Sequence, residues 1–207
     1  MSNWILTAHG CEVDMAYPRP PAITLRDVAH HLSLINRFTG ATCRPYSVAE
    51  HSLLVLEILE REFRLPVAGL LAGLMHDAHE AYTGDMHTPG KRQVGEGWHY
   101  FEKRFERLVG NVFGLGVAQF DFGPQIKQAD LLALATERAQ LLPYSPSPWE
   151  ALIHVVPLGW VDLMEPGRAS LTWQDWRQAF TDRAESLMFA RDLPSNGNCA
   201  AVAHHQV

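Results

Sequence analysis

The sequence predicts an all-α fold on two observations. Apolar residues recur at helical spacing in almost every segment long enough to form an element. Capping residues precede these segments, and glycine or proline follows them. Thr24 with Asp27 caps a first helix whose apolar face is Leu25, Val28, Leu32 and Ile35, and Gly40 ends it. Ser47 with Glu50 forms a capping box for a second helix running to about Phe63. Pro66 suits the first position of a third helix, running to about Tyr82. A loop with Gly84, Pro89 and Gly90 follows. Trp98, Phe101, Phe105, Leu108 and Val112 then mark a fourth, amphipathic helix ending in the run Gly114 to Gly116. Pro124 opens a fifth helix through about Leu142, stopped by Pro143. Residues 143–148 read as loop, and 151–163 as irregular or a short helix. Thr172 and Asp175 open a last helix with Trp173, Trp176, Phe180, Ala184 and Leu187 towards the core. About six main helices result, with an extended arm or small hairpin before residue 24 and a frayed tail over 194–207.

Composition narrows the class. The 207 residues suit one domain, here 1–193 plus the tail. Apolar residues are 47% and charged residues 19%, which excludes a wholly disordered chain. A net charge of -6 argues against duplex nucleic acid as the main partner, while leaving room for a local basic pocket for a small anion. Cys11, Cys43 and Cys199 are odd in number and widely spaced, which fits neither a disulfide framework nor a thiolate zinc site. The N-terminus lacks a basic start and a long apolar run, so no signal peptide is expected. The longest apolar stretch, Leu65 to Met75, falls short of the roughly 20 residues a membrane span needs. A cytoplasmic protein without a membrane partner is the expectation. The eleven histidines are the unusual feature.

Three helices carry a metal-capable residue where a core residue belongs. His51 shares a helix face with Val48, Val55 and Ile58. The apolar run Leu70, Leu71, Leu74, Met75 ends abruptly at His76 and Asp77. Asp130 sits among Ile126, Ala129, Ala133 and Leu134. An inward aspartate is costly unless paired or bound to a cation. Each has an ordinary explanation alone: a core histidine, a histidine at a helix C-terminus, an aspartate accepting from a neighbouring helix. Together, two histidines and two carboxylates aimed at one interior suit a divalent ion with open positions.

HDAHEAYTGD, from His76 to Asp85, with SVAEHS upstream and KQAD downstream, resembles the HD-domain metal-dependent phosphohydrolases. The resemblance is closest to the YfbR-like 5'-deoxynucleotidase group and related phage HD proteins, dATP triphosphohydrolases among them. It covers about residues 24–142. It implies an HD-domain helical bundle in which His51, His76, Asp77 and Asp130 ligate one divalent metal: zinc, manganese, cobalt or iron. Glu80 and Asp85 match positions that assist catalysis, by orienting water or holding additional magnesium, cobalt or manganese. An exposed helix carboxylate and a turn residue are the plain alternatives for these two. Arg37, in LINRF, matches an arginine that contacts the substrate phosphate. Phe38 stands where the deoxynucleotidase has a tryptophan beside the sugar, which loosens any expectation of strict deoxyribose selectivity. Lys91 is a second cation in the same loop region, and a solvated loop lysine is its plain reading. A homodimer or higher homo-oligomer is implied, in the cytoplasm or, for a phage protein, the host cytoplasm.

The expected activity is therefore metal-dependent cleavage of the 5' phosphoester of (deoxy)nucleotides, most like a 5'-nucleotidase on monophosphates. A dNTP triphosphohydrolase releasing tripolyphosphate is the rival within the class. A non-catalytic metal- or nucleotide-binding module is the rival outside it. The remaining histidines keep ordinary expectations: His79 exposed, one of His30 and His31 facing solvent, and Trp173 and Trp176 available to an oligomer contact.

Overall fold

Helices carry the fold, as the periodicity predicts. The computed structural model describes residues 3–193. The expected frayed tail, with Cys199, His204 and His205, lies outside the described residues. A two-stranded antiparallel hairpin, β1 (Trp4–Leu6) with β2 (Glu12–Asp14), forms the N-terminal arm and pairs Ile5 with Val13. The helices are α1 (Leu25–Leu34), α2 (Val48–Ile58), α3 (Val67–Leu74), α4 (Glu80–Thr83), α5 (Thr88–Val94), α6 (Glu96–Val112), α7 (Gly116–Leu141), α8 (Pro166–Ala169) and α9 (Trp173–Asp192). Thr24, Ser47 and Thr172 cap α1, α2 and α9 by accepting from the backbone N–H three residues on. No helix of the described residues is long and apolar enough to cross a membrane.

Two apolar clusters share α2. One joins Val28 and Leu32 of α1 to Leu56, Leu74, Phe105 and Phe180. The other joins Leu54 and Ile58 to Ala72 and to Ala129, Ala133 and Leu141 of α7. Buried on both sides, α2 has no solvent face for most of its length, and any polar residue there must find an internal partner.

Four boundaries differ from the sequence expectation. The first helix ends at Leu34, not Gly40, because the backbone leaves to pair with the residues before α2. Arg37 N–H donates to Tyr46 O at 2.9 Å and Val48 N–H to Ile35 O at 3.0 Å. The third helix ends at Leu74, not Tyr82, and gives way to tight turns before α4. The expected loop over 84–90 winds into α5 from Thr88. Finally, α7 begins at Gly116 and runs through Pro124, which was expected to open it. An internal proline costs about 3 kcal/mol. The turns before it are held by buried Ala118 and by Phe122, which packs against α3 at Gly69.

Gly73 marks a close approach of α3 to the end of α2. A Cβ there would lie 2.0 Å from Leu59 Cδ1, a fully buried atom with little room to move. Gly73→Ala should destabilise the protein by about 1–3 kcal/mol, read as a drop in thermal midpoint of roughly 2–4 °C per kcal/mol. An unchanged midpoint would sink this packing argument.

Candidate metal centre

His51 enters the centre from α2, where it is fully buried. Its Nδ1 lies 2.6 Å from Glu137 Oε1, a partner that fixes the proton on Nδ1. His76 comes from the turns after α3. Its Nδ1 lies 2.8 Å from Gly73 O, which fixes the same tautomer. That bond accompanies the three-residue turns that end the helix: His76 N–H donates to Gly73 O, Ala78 to Met75 O and Glu80 to Asp77 O. The break of α3 therefore turns two consecutive side chains, His76 and Asp77, into the centre.

With both Nδ1 atoms engaged, the two Nε2 atoms face one another at 3.4 Å. Asp77 Oδ2 lies 3.5 Å from His51 Nε2 and 3.1 Å from His76 Nε2. Asp130 Oδ1, from α7, lies 3.4 Å from His51 Nε2. Donors bound at about 2.1 Å around one ion in tetrahedral or octahedral geometry sit about 3.0–3.4 Å apart. The observed spacings match, and two imidazole Nε2 atoms facing each other need a proton or a metal ion between them. His51, His76 and Asp77 offer donor atoms all within 4.8 Å of one another. Asp130, the fourth expected ligand, lies outside that group: it approaches only His51 and holds Lys127 Nζ at 2.8 Å on its other oxygen.

Charge binds the centre together. Burial pushes Asp77 and Asp130 up, but His76 and His51 hold both carboxyls well below the usual range. Burial and Arg37 push His51 down, but Glu137 and Asp130 outweigh them and raise it to about 9. A proton and a divalent cation are therefore alternatives for the same pocket.

Glu137, which the sequence reading missed, organises the second layer. It is fully buried and accepts from His51 Nδ1, from Tyr46 Oη at 2.9 Å, and from Arg37 Nη2 at 3.1 Å. Its signal was present: it follows Asp130 by two helical turns and shares its face. Arg37 thus spends two donors on Glu137 and turns Nη1 towards Asp77, at 3.8 Å. The guanidinium also lies 5.2 Å over the Phe38 ring, which leans on Trp149 at 6.2 Å. Phe38 and Thr39 hold φ of 54° and 55°, a left-handed pair costing of order 1–3 kcal/mol each.

Glu80 is only 3% exposed, which removes the reading of a solvated helix carboxylate. Its Oε2 has no hydrogen-bond partner among the described residues. Burial, then Asp77 and Asp85, push its carboxyl well above the usual range. Asp85 is partly buried, and burial raises it too, against the pull of Arg37. Lys91 does not sit free in a loop: it is half-buried on α5 and bonded to Glu102 of α6 at 2.5 Å. A cleft of about 380 Å³ opens beside the centre, lined by His76, Asp77, Lys91, Glu102, Lys127 and Asp130.

Other histidine expectations change as well. His79 is 7% exposed rather than solvated. Neither His30 nor His31 simply faces solvent. His31 Nδ1 lies 2.7 Å from Ala81 O, and the His30 ring packs on Trp173 at 5.3 Å. Trp173 and Trp176 are half-buried, so they offer less surface to a partner than the sequence suggested.

No family model matches the chain. The chain is 37% identical to Uncharacterized protein RCAP_rcc00048 of Rhodobacter capsulatus. That match spans 148 residues, 69% of this chain and 74% of the relative. It is 35% identical to Uncharacterized protein YfdR of Escherichia coli over 119 residues, 58% of this chain. The matched part spans 61% of YfdR, less than two thirds of that relative's length.

Proposed function

The chain belongs to the family of the Rhodobacter capsulatus protein RCAP_rcc00048, and from that premise we propose, on the chemistry of the centre, an HD-type metal-dependent phosphohydrolase. The reaction is cleavage of the 5' phosphoester of (deoxy)nucleotides, with nucleoside monophosphates as the leading substrates. One observation carries the reading: two Nε2 lone pairs and two carboxylates converge beside a buried glutamate whose Oε2 has no partner among the described residues. A structural site has no use for that glutamate. The HDAHEAYTGD motif supports the phosphate-ester assignment.

His51, His76, Asp77 and Asp130 would hold zinc, manganese, cobalt or iron, with additional metal near Glu80 and Asp85 implied by the resemblance. Such an ion would supply Lewis acidity for a phosphate oxygen and for a bound water. The chain's own residues do the rest. Glu137 orients His51 and Arg37 together. Arg37 Nη1 binds a phosphate oxygen, and its fixed fork sets the direction of approach. Glu80 accepts the proton of the attacking water, and burial beside Asp77 and Asp85 raises its carboxyl's proton affinity above the usual carboxylate range. The Phe38 ring packs against the nucleoside. The product is the nucleoside and inorganic phosphate.

A triphosphohydrolase is the second reading: Lys91, Lys103 and Lys127 line the cleft beyond the centre, each paired with a carboxylate that a longer phosphate chain would have to displace. Product analysis with dAMP and dATP, in manganese, cobalt, zinc or magnesium, separates the two. Phosphate from dAMP is expected, with Glu80→Gln slowing release about 10²–10⁴-fold. Tripolyphosphate from dATP with dAMP untouched replaces the monophosphatase reading by the second one. No turnover of either substrate sinks both.

A further inference from the structure

A second group of donors stands in the same cleft. His79, at the N-cap of α4, Glu80, its first residue, and Glu102 of α6 offer atoms all within 4.8 Å of one another. His79 Nε2 lies 3.6 Å from Glu102 Oε1, beyond a hydrogen bond. His79 is 7% exposed and Glu80 3% exposed. Among the described residues, His79 Nε2 and Glu80 Oε2 are both buried without a hydrogen-bond partner. Two polar atoms orphaned side by side are costly unless something in the cleft satisfies them. Asp85, which the resemblance pairs with Glu80, belongs to neither donor group among the described residues.

We propose that His79, Glu80 and Glu102 form a second divalent-cation site, distinct in its donors from the first centre. One imidazole nitrogen and two carboxylates suit manganese, cobalt or zinc. Glu102 presents Oε1 3.6 Å from His79 Nε2, a separation that fits two donors on one ion. Glu80 also feels the charges of Asp77 and Asp85, which couples this group to the first centre. Lys91 bonds the Glu102 oxygen that lies nearest His79, so its ammonium competes with the ion for that oxygen.

The experiment counts ions. The full chain is loaded with manganese, freed of unbound metal, and analysed by mass spectrometry, with circular dichroism as a control on folding. Two ions per chain are expected for the wild type. His79→Ala and Glu102→Gln should each retain one, with the second ion weakened roughly 10–100-fold or more. His76→Ala should retain the other. A single ion in the wild type, kept unchanged by folded Glu102→Gln, overturns the proposal and assigns the pocket to water. The phosphohydrolase reading fails separately: two ions without hydrolysis of any nucleotide would sink that reading and leave this site standing.

Discussion

Asp77→Asn is expected to abolish tight metal binding and nucleotide hydrolysis while leaving the fold intact. The substitution is isosteric and removes one charge. Among the described residues, Asp77 is the one carboxylate with an oxygen within 3.5 Å of both imidazole Nε2 atoms, so no other carboxylate replaces it. Affinity for the first ion should fall more than about a hundredfold, and turnover at least about 10³-fold. Arg37 stays anchored, because its two bonds to Glu137 do not involve Asp77. Isothermal titration with manganese and a phosphate-release assay read the two effects. Affinity in the wild type should also rise with pH. His51, raised to about 9, must lose its proton to ligate, so binding strengthens as pH climbs towards that value. An Asp77→Asn protein that binds and turns over normally would remove the centre from the mechanism.

Glu137→Leu should be the most destabilising single change in the second layer. Three donors, His51 Nδ1, Tyr46 Oη and the Arg37 guanidinium, converge on this buried carboxylate. Removing it strands the Arg37 charge, 8% exposed, in a low-dielectric interior. Breaking one partner of a buried ion pair costs about 3–5 kcal/mol. Glu137→Gln keeps the shape and some hydrogen bonds, so a smaller loss is expected from it. Denaturant unfolding of both variants checks the order. A loss under about 1 kcal/mol for Glu137→Leu would mean that solvent reaches Arg37.

The helices were legible because their signals are local. Caps at Thr24, Ser47 and Thr172 and apolar spacing depend on neighbours within a few residues. The boundaries that escaped were set by distant partners. Pairing with residues 46–48 pulls the chain off α1 after Leu34. The contact of Phe122 with α3 carries α7 through Pro124. The same division holds for the site. His51, His76, Asp77 and Asp130 stood out because each interrupts an apolar helix face or run. Glu137 did so too, but its meaning depends on Arg37 lying across the fold. His79 and Glu102 carried no signal, since their burial follows from α6 packing over the turns after α3.

On the proposed function, His51, His76, Asp77 and Asp130 hold one divalent ion that serves phosphate-ester chemistry. Anomalous diffraction from crystals of the full chain loaded with manganese and soaked with dAMP tests it most directly. The expected result is a strong anomalous peak about 2.0–2.2 Å from His51 Nε2, His76 Nε2, Asp77 Oδ2 and Asp130 Oδ1, with the nucleotide's phosphate beside it and beside Arg37. Manganese confined to other sites, with His51 Nε2 hydrogen-bonded to Asp130 and the phosphate elsewhere, would contradict it.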